Sequence, residues 1–214
     1  MSMTISGHAA ASGFEAPLEV LSGCHRRVER QCATLRRLVA HLLDRDPDED
    51  ARAAAAAVMR CFDTATRDHH ADEETDLFPA LIESMAGSDA ICIRELIDSL
   101  TLEHRALDFR WQRLREVLHA IAAGDSVSLD PTDVEPFICM YERHIAREEA
   151  ELLPMASRLL GDDALAEIGK AMRQRRDGCG EVRASRAGHA DARRHHLCVC
   201  RALRTPLETR RRDG

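Results

Sequence analysis

The sequence predicts an all-α fold, and three observations carry that expectation. Hydrophobic residues make up 44% of the 214-residue chain but aromatic residues only 3%, so a core must be built mainly from Leu, Ala, Val, Ile and Met, which favours packed helices over a β-sandwich. Between about residues 16 and 160 four long segments keep a helical apolar period, separated by the breakers DRDPDED (44–50), AGSD (86–89) and AAGDSVSLDP (122–131). The segments also come in two matching pairs. The expected architecture is an antiparallel up-down-up-down four-helix bundle with an internal two-fold repeat.

The first segment sets Leu18, Leu21, His25, Val28, Cys32, Leu35, Val39 and Leu42 on one stripe in steps of three and four, the pattern of an inward bundle face. The third repeats it at a constant offset as Ile97, Leu100, His104, Leu107, Trp111, Leu114, Leu118 and Ile121, histidine included. The second segment carries Phe62, His69, Glu73, Leu77 and Pro79. A constant offset again lands on Phe137, His144, Glu148, Leu152 and Pro154 of the fourth, so HHADEETDLFP answers HIAREEAELLP. The fourth segment should start at Pro131, with Asp130 as its cap.

Each half is thus a helix with one inward histidine followed by a helix with His-x-x-x-Glu. Residues four apart on an α-helix share a face, so His69 with Glu73, and His144 with Glu148, can each present two donors to one point. A single histidine on an apolar stripe is usually a core residue bonded to a backbone carbonyl. Two pairs of histidines and one pair of glutamates at equivalent inward positions favour a metal instead, because a buried carboxylate is costly without a cation or donors. The predicted ligands are His25, His69, Glu73, His104, His144 and Glu148.

Imidazole and carboxylate without thiolate suit iron, manganese or zinc, and argue against iron–sulfur and copper(I) sites. Six ligands exceed one tetrahedral zinc and fall short of saturating two octahedral ions. A binuclear centre fits the count, with both glutamates bridging and positions left for an oxo or hydroxo bridge and an exogenous ligand.

His70 and Glu74 form a second His-x-x-x-Glu, displaced by one residue. The position equivalent to His70 is Ile145, and a helix advances about 100° per residue, so His70 is expected to point away from the metals. Glu74 and Glu149 read as solvated carboxylates or as groups acting behind the ligands. Glu29 and Asp108, each four residues after a histidine, either orient His25 and His104 or face solvent. Cys24 reads as an inert interface thiol next to a ligand, and Tyr141 either as a core filler or as a hydroxyl donor to a bound ligand.

These residues resemble the hemerythrin-like HHE cation-binding domain family, whose pattern is H…HxxxE…H…HxxxE on four helices. The likeness covers roughly residues 16–160, with the EExxLFP-type extensions Glu73 to Pro79 and Glu148 to Pro154 and the dipeptides His25-Arg26 and His104-Arg105. It implies a non-haem di-iron centre, with two iron ions that bind a small diatomic ligand, O₂ or NO, in sensing or iron handling. True hemerythrins carry an HxxxH pair on the third helix, whereas Asp108 stands four residues after His104 here. The ligand set is similar to that of the di-iron proteins that repair damaged iron centres. Their additional N-terminal domain is not expected in the short stretch before the first helix. The resemblance thus leaves two alternatives to a ligand-binding protein: an iron donor for damaged iron–sulfur centres, and a ferroxidase or peroxide-consuming oxidoreductase. The histidine-rich centre leans away from the enzyme.

Residues 173–214 hold 12 Arg against five acids, while the rest of the chain holds 18 basic against 32 acidic residues. The charge shift predicts a flexible N-terminus over 1–15, a metal-binding body over 16–172 and a basic, disordered tail over 173–214. Within the tail His195, His196, Cys198 and Cys200 match no established zinc spacing. With no 18-residue apolar run and no leader-like start, no membrane span is expected. The eight cysteines, without CxxC in the body, read as reduced thiols of a cytoplasmic protein. Nucleic acid is not an expected partner of an acidic body.

Overall fold

The structure, a computed structural model, describes residues 16–43, 45–84 and 89–192, with side chains described for 16–43, 45–84 and 91–177. The described secondary structure is all helical. Helix α1 spans Pro17–Leu42. A second helical run holds α2 (Glu49–Arg60), a π-helical segment (Cys61–Thr66), α3 (Arg67–Asp72), a second π-helical segment (Glu73–Leu77) and α4 (Phe78–Glu83). Helix α5 spans Asp89–Ala123. A fourth run joins α6 (Pro131–Arg147), a π-helical segment (Glu148–Leu152) and α7 (Leu153–Leu159), and α8 spans Asp162–Ala192.

The breakers at 44–50 and 122–131 act where the sequence places them, while residues 86–88 of the AGSD breaker lie outside the described residues. Asp48 accepts a hydrogen bond from the Ala51 N–H at 2.8 Å and starts α2, with Glu49 and Asp50 in the first turn where the helix dipole favours acids. Asp130 accepts from the Thr132 N–H at 2.8 Å, and Pro131 occupies the first turn of α6. Gly124, at φ +95°, ends α5 in the left-handed region that favours glycine. The π-helical turns are not visible in a helical apolar period. Two of them begin at Glu73 and Glu148, equivalent positions of the repeat.

Helix α1 packs against α2 and α6, and α5 packs against the same two. All eight stripe positions of α5 are buried, as are Leu21, His25, Val28, Cys32 and Leu35 of α1. The core is divided into two apolar clusters. One contains Val28, Phe62, Leu107, Trp111, Phe137 and Tyr141; the other contains Leu21, Leu77, Leu100, Leu152 and Met172. His25 and His104 fall in sequence between a residue of the second cluster and one of the first. The His-x-x-x-Glu motifs fall between the clusters in the reverse order.

The chain divides into two compact units, residues 1–175 and 176–214. In the first, α8 contributes buried Ile168 and Met172. Backbone helix runs past residue 172 to Ala192, through an Ala- and Arg-rich stretch without proline that supports helix. The His195–Cys200 motif lies outside the described residues. No helix among the described residues is long and apolar enough to cross a membrane. Among the described residues Cys24, Cys32, Cys61, Cys92 and Cys139 form no disulfide with one another. Burial pushes the Cys32 thiol up to about 12, so it stays protonated and inert.

Candidate metal centre

The division between the two apolar clusters is where the predicted ligands meet. His25 comes from α1, His69 from α3, His104 from α5 and His144 from α6. Glu73 and Glu148 open two of the π-helical segments. All six are at most 2% exposed. One ligand atom from each of His25, His69, Glu73 and Glu148 lies within 4.8 Å of the others, and the same is true of His70, His104 and His144, a spacing that can hold metal.

The histidines form two pairs of like geometry. The rings of His25 and His69 meet edge to face at 4.8 Å and 87°, and those of His104 and His144 at 4.8 Å and 74°. His25 Nε2 and His69 Nε2 are 3.1 Å apart, close to the roughly 3 Å between adjacent donors on one ion with metal–nitrogen bonds of about 2.1 Å. Glu148 divides its carboxylate between the pairs. Its Oε2 lies 3.0 Å from His25 Nε2 and 3.9 Å from His69 Nε2, while its Oε1 lies 2.9 Å from His144 Nε2 and 3.6 Å from His104 Nε2. Glu73 Oε2 stands between the pairs, 3.3 Å from His104 Nε2 and 3.6 Å from His69 Nε2.

Behind three of the rings a carboxylate takes the outer nitrogen. His25 Nδ1 is 2.7 Å from Glu149 Oε1, His104 Nδ1 is 2.7 Å from Glu74 Oε1, and His144 Nδ1 is 2.9 Å from Glu103 Oε2. A proton held on Nδ1 by a carboxylate leaves the Nε2 lone pair facing inward. Those lone pairs meet the lone pairs of the glutamates. Despite the short distances, Nε2 of His104 and His144 and all four carboxylate oxygens of Glu73 and Glu148 lack a hydrogen-bond partner. Converging, buried, unpartnered donors of electron pairs call for cations between them, so the residues fit a metal centre.

The electrostatics agree. Burial opposes charge on His25, yet the Glu148 and Glu149 carboxylates outweigh it and raise the ring to about 9. Burial likewise opposes charge on His104, and Glu148 and Glu73 raise it to about 10. His144 is raised by Glu148 against its own burial. Burial resists ionisation of Glu148, but its four histidine neighbours hold it well below the usual carboxylate range. Without metal the centre draws protons as its substitute cations.

Several residues around the centre differ from expectation or extend it. His70 does not point away; it is 6% exposed, its ring stacks on His104 at 3.9 Å and 11°, and burial together with the neighbouring imidazoles lowers its pKa well below the ordinary value. Its helix is bracketed by the π-helical turns at Cys61–Thr66 and Glu73–Leu77, whose extra residue per turn changes which face is presented. The carboxylates behind His25 and His104 are Glu149 and Glu74. Glu29 is exposed, and exposed Asp108 instead lies 4.0 Å from His70 Nδ1. Glu103, at the repeat position of Cys24, is not singled out by the sequence, though its exchange for a thiol in the other half marks the asymmetry. Cys24 donates its S–H to the Ala65 carbonyl at 3.5 Å. The Tyr141 ring packs against Phe137 at 5.0 Å and lies nearly parallel to His70 at 6.4 Å.

The family model of the hemerythrin HHE cation-binding domain matches residues 16–156. A protein of Haemophilus influenzae, described as uncharacterized, is 32% identical over 163 residues, which cover 76% of this chain and 91% of that protein.

Proposed function

The chain belongs to the hemerythrin HHE cation-binding domain family, and from that premise we propose that it is a non-haem di-iron protein that binds O₂ or NO, in sensing or iron handling. His25 and His69 would hold one ion and His104 and His144 the other, with Glu73 and Glu148 spanning both. The observation that carries the reading is Glu148, whose two buried oxygens face one histidine pair each. A carboxylate serving a single ion has no reason to be set between two pairs.

When bound, two iron ions supply redox capacity and an exchangeable coordination position for a diatomic ligand. The chain's own residues do the rest. Glu149, Glu74 and Glu103 hold three imidazoles in the orientation and tautomer that turns Nε2 inward. The apolar clusters to either side exclude water and keep competing ligands out. Glu73 and Glu148 would balance only part of the charge of two such ions, so a further anionic ligand from solvent would complete the centre.

The same reading takes the first four helical runs as an up-down-up-down bundle. It is supported by the ring of neighbours α1, α2, α5 and α6 and by the reversed order in which successive runs pass the two apolar clusters. The test is metal analysis and optical spectroscopy of protein purified without oxygen, before and after adding O₂ or NO. Two irons per chain and a reversible ligand-dependent absorption band are expected. One zinc per chain, or no metal, overturns the reading.

A further inference from the structure

His70 is the one histidine of the buried centre that the pairwise arrangement leaves over. Its geometry separates it from the four proposed histidine ligands by ring plane, and from three of them by tautomer as well. An imidazole lone pair lies in the plane of its ring, so an ion held by that nitrogen lies in the plane as well. His25 with His69, and His104 with His144, cross at 87° and 74°, which lets the two planes of a pair share an ion. His70 and His104 are stacked at 11° with centroids 3.9 Å apart. Stacked rings have planes about 3.5 Å apart, the contact distance of carbon atoms. No ion can lie in both planes, and His104 is the one whose Nε2 faces Glu73 and Glu148.

The second difference is the tautomer. On His25, His104 and His144 a carboxylate 2.7–2.9 Å from Nδ1 holds the proton there. His70 Nδ1 is 4.0 Å from Asp108 Oδ1, too far for a hydrogen bond. Its proton is free to sit on Nε2, which is buried and has no hydrogen-bond partner. Among the described residues His69 also has an unpartnered Nδ1, but its Nε2 contact with His25 at 3.1 Å assigns it to a pair. Tyr141, nearly parallel to His70 at 6.4 Å and packed on Phe137, braces the His70 ring from its own aromatic cluster.

We propose that His70 is not a metal ligand but a residue that contacts the exogenous ligand: its Nε2–H lines the position where that ligand would bind beside the proposed His104–His144 ion, and donates a hydrogen bond to the ligand. The ligand class is a small diatomic molecule or linear anion with a terminal acceptor atom. A buried donor with no partner carries a desolvation cost that such a ligand removes when it binds. The proposal rests on the di-iron reading above and adds to it what recognises the far end of the ligand.

The test uses azide as the probe on the full-length, iron-loaded chain, with wild type, His70→Leu and His70→Gln compared. Iron per chain, azide affinity by titration, and the infrared antisymmetric stretch of bound azide in H₂O and D₂O are measured. Two irons per chain are expected in all three proteins. Azide affinity should fall about tenfold in His70→Leu, the loss of one hydrogen bond, and recover most of that in His70→Gln, which keeps an N–H donor. The stretch should shift in D₂O in the wild type and not in His70→Leu.

Loss of one iron in His70→Leu or His70→Gln makes His70 a ligand and overturns the proposal. Unchanged azide affinity in His70→Leu makes it a packing residue, with the same result. If His70→Leu does not fold, the wild-type isotope shift and His70→Gln decide: no shift overturns the proposal. The wild-type control separates the two readings, since a wild type that takes up no iron, or iron but no azide, sinks the di-iron reading and this proposal with it. A wild type that binds both, with variants that fail as above, sinks this proposal alone.

Discussion

Glu149 Oε1 lies 2.7 Å from His25 Nδ1, although the two residues belong to opposite halves of the repeat. The partner contact, Glu74 Oε1 to His104 Nδ1, has the same length and also crosses between the halves. Each His-x-x-x-Glu motif therefore supplies its second glutamate to the single histidine of the other half. Glu149 and Glu74 are 42% and 39% exposed, so water can take over part of their role. Glu149→Ala and Glu74→Ala should each weaken iron binding about tenfold, the low end of what loss of a group behind a ligand costs. A competition titration against a chelator measures it, and unchanged affinity in both variants would show that these contacts do not orient the rings.

Metal-free and metal-loaded protein should respond to pH with opposite signs. In the metal-free fold His25 and His104 are raised from 6.5 to about 9 and about 10, so protonation stabilises it. That contribution is complete below about pH 6.5, the unfolded value, and disappears as pH rises through 9 to 10. The midpoint of thermal unfolding after chelation should therefore fall from about pH 6.5 to about pH 10. The loaded protein should instead lose metal and stability as pH drops below about 6, because histidines must be neutral to bind. Metal retained unchanged at about pH 4 would count against histidine ligation.

The repeat makes the proposed ligands legible as one buried cluster because a helical period and a constant offset between the halves need no knowledge of neighbouring helices. His25, His69, Glu73, His104, His144 and Glu148 all meet at one place for that reason. The partners of the outer nitrogens are harder to see. Whether Glu149 or Glu29 reaches His25 depends on the relative height of α1 and the Glu148–Leu152 segment, which no single stripe encodes. The paired Glu-Glu at 73–74 and 148–149 is the available signal. His70 is misplaced by the sequence pattern because a step of about 100° assumes an uninterrupted α-helix, and π-helical turns stand on both sides of it. The contact from α8 is invisible, since Arg175 lies in a stretch whose composition points to a tail.

That contact gives a sharp boundary. Arg175 donates to Asp72, which is fully buried one residue before Glu73, and to Asp76 Oδ2 at 2.7 Å. Removing residues 178–214, which hold no sustained apolar period, should leave iron content and the unfolding midpoint unchanged. Arg175→Ala should lower the midpoint by about 4 °C, from a loss of about 1.5 kcal/mol in a charged, partly buried hydrogen-bonded pair. Differential scanning calorimetry distinguishes the two. A drop of several degrees on deleting 178–214 would show that those residues stabilise the body.

Glu148 offers the most demanding test of the binuclear reading. Its Oε2 is nearest His25 and its Oε1 nearest His144, at 3.0 and 2.9 Å, so one side chain serves both proposed ions. Glu148→Gln keeps the shape but replaces a carboxylate by a neutral amide, a poor ligand for iron. It should cost both irons rather than one. Glu148→Asp keeps the charge but shortens the reach by one methylene, so it can approach one pair only by leaving the other. It should retain at most one iron per chain. His25→Ala, which touches one pair only, should also retain one. The three variants together separate the possibilities by stoichiometry, read as iron per folded chain after gel filtration. If Glu148→Gln holds one iron and His25→Ala holds none, the two positions are not bridged by Glu148, and the centre is a single site with the second histidine pair beside it.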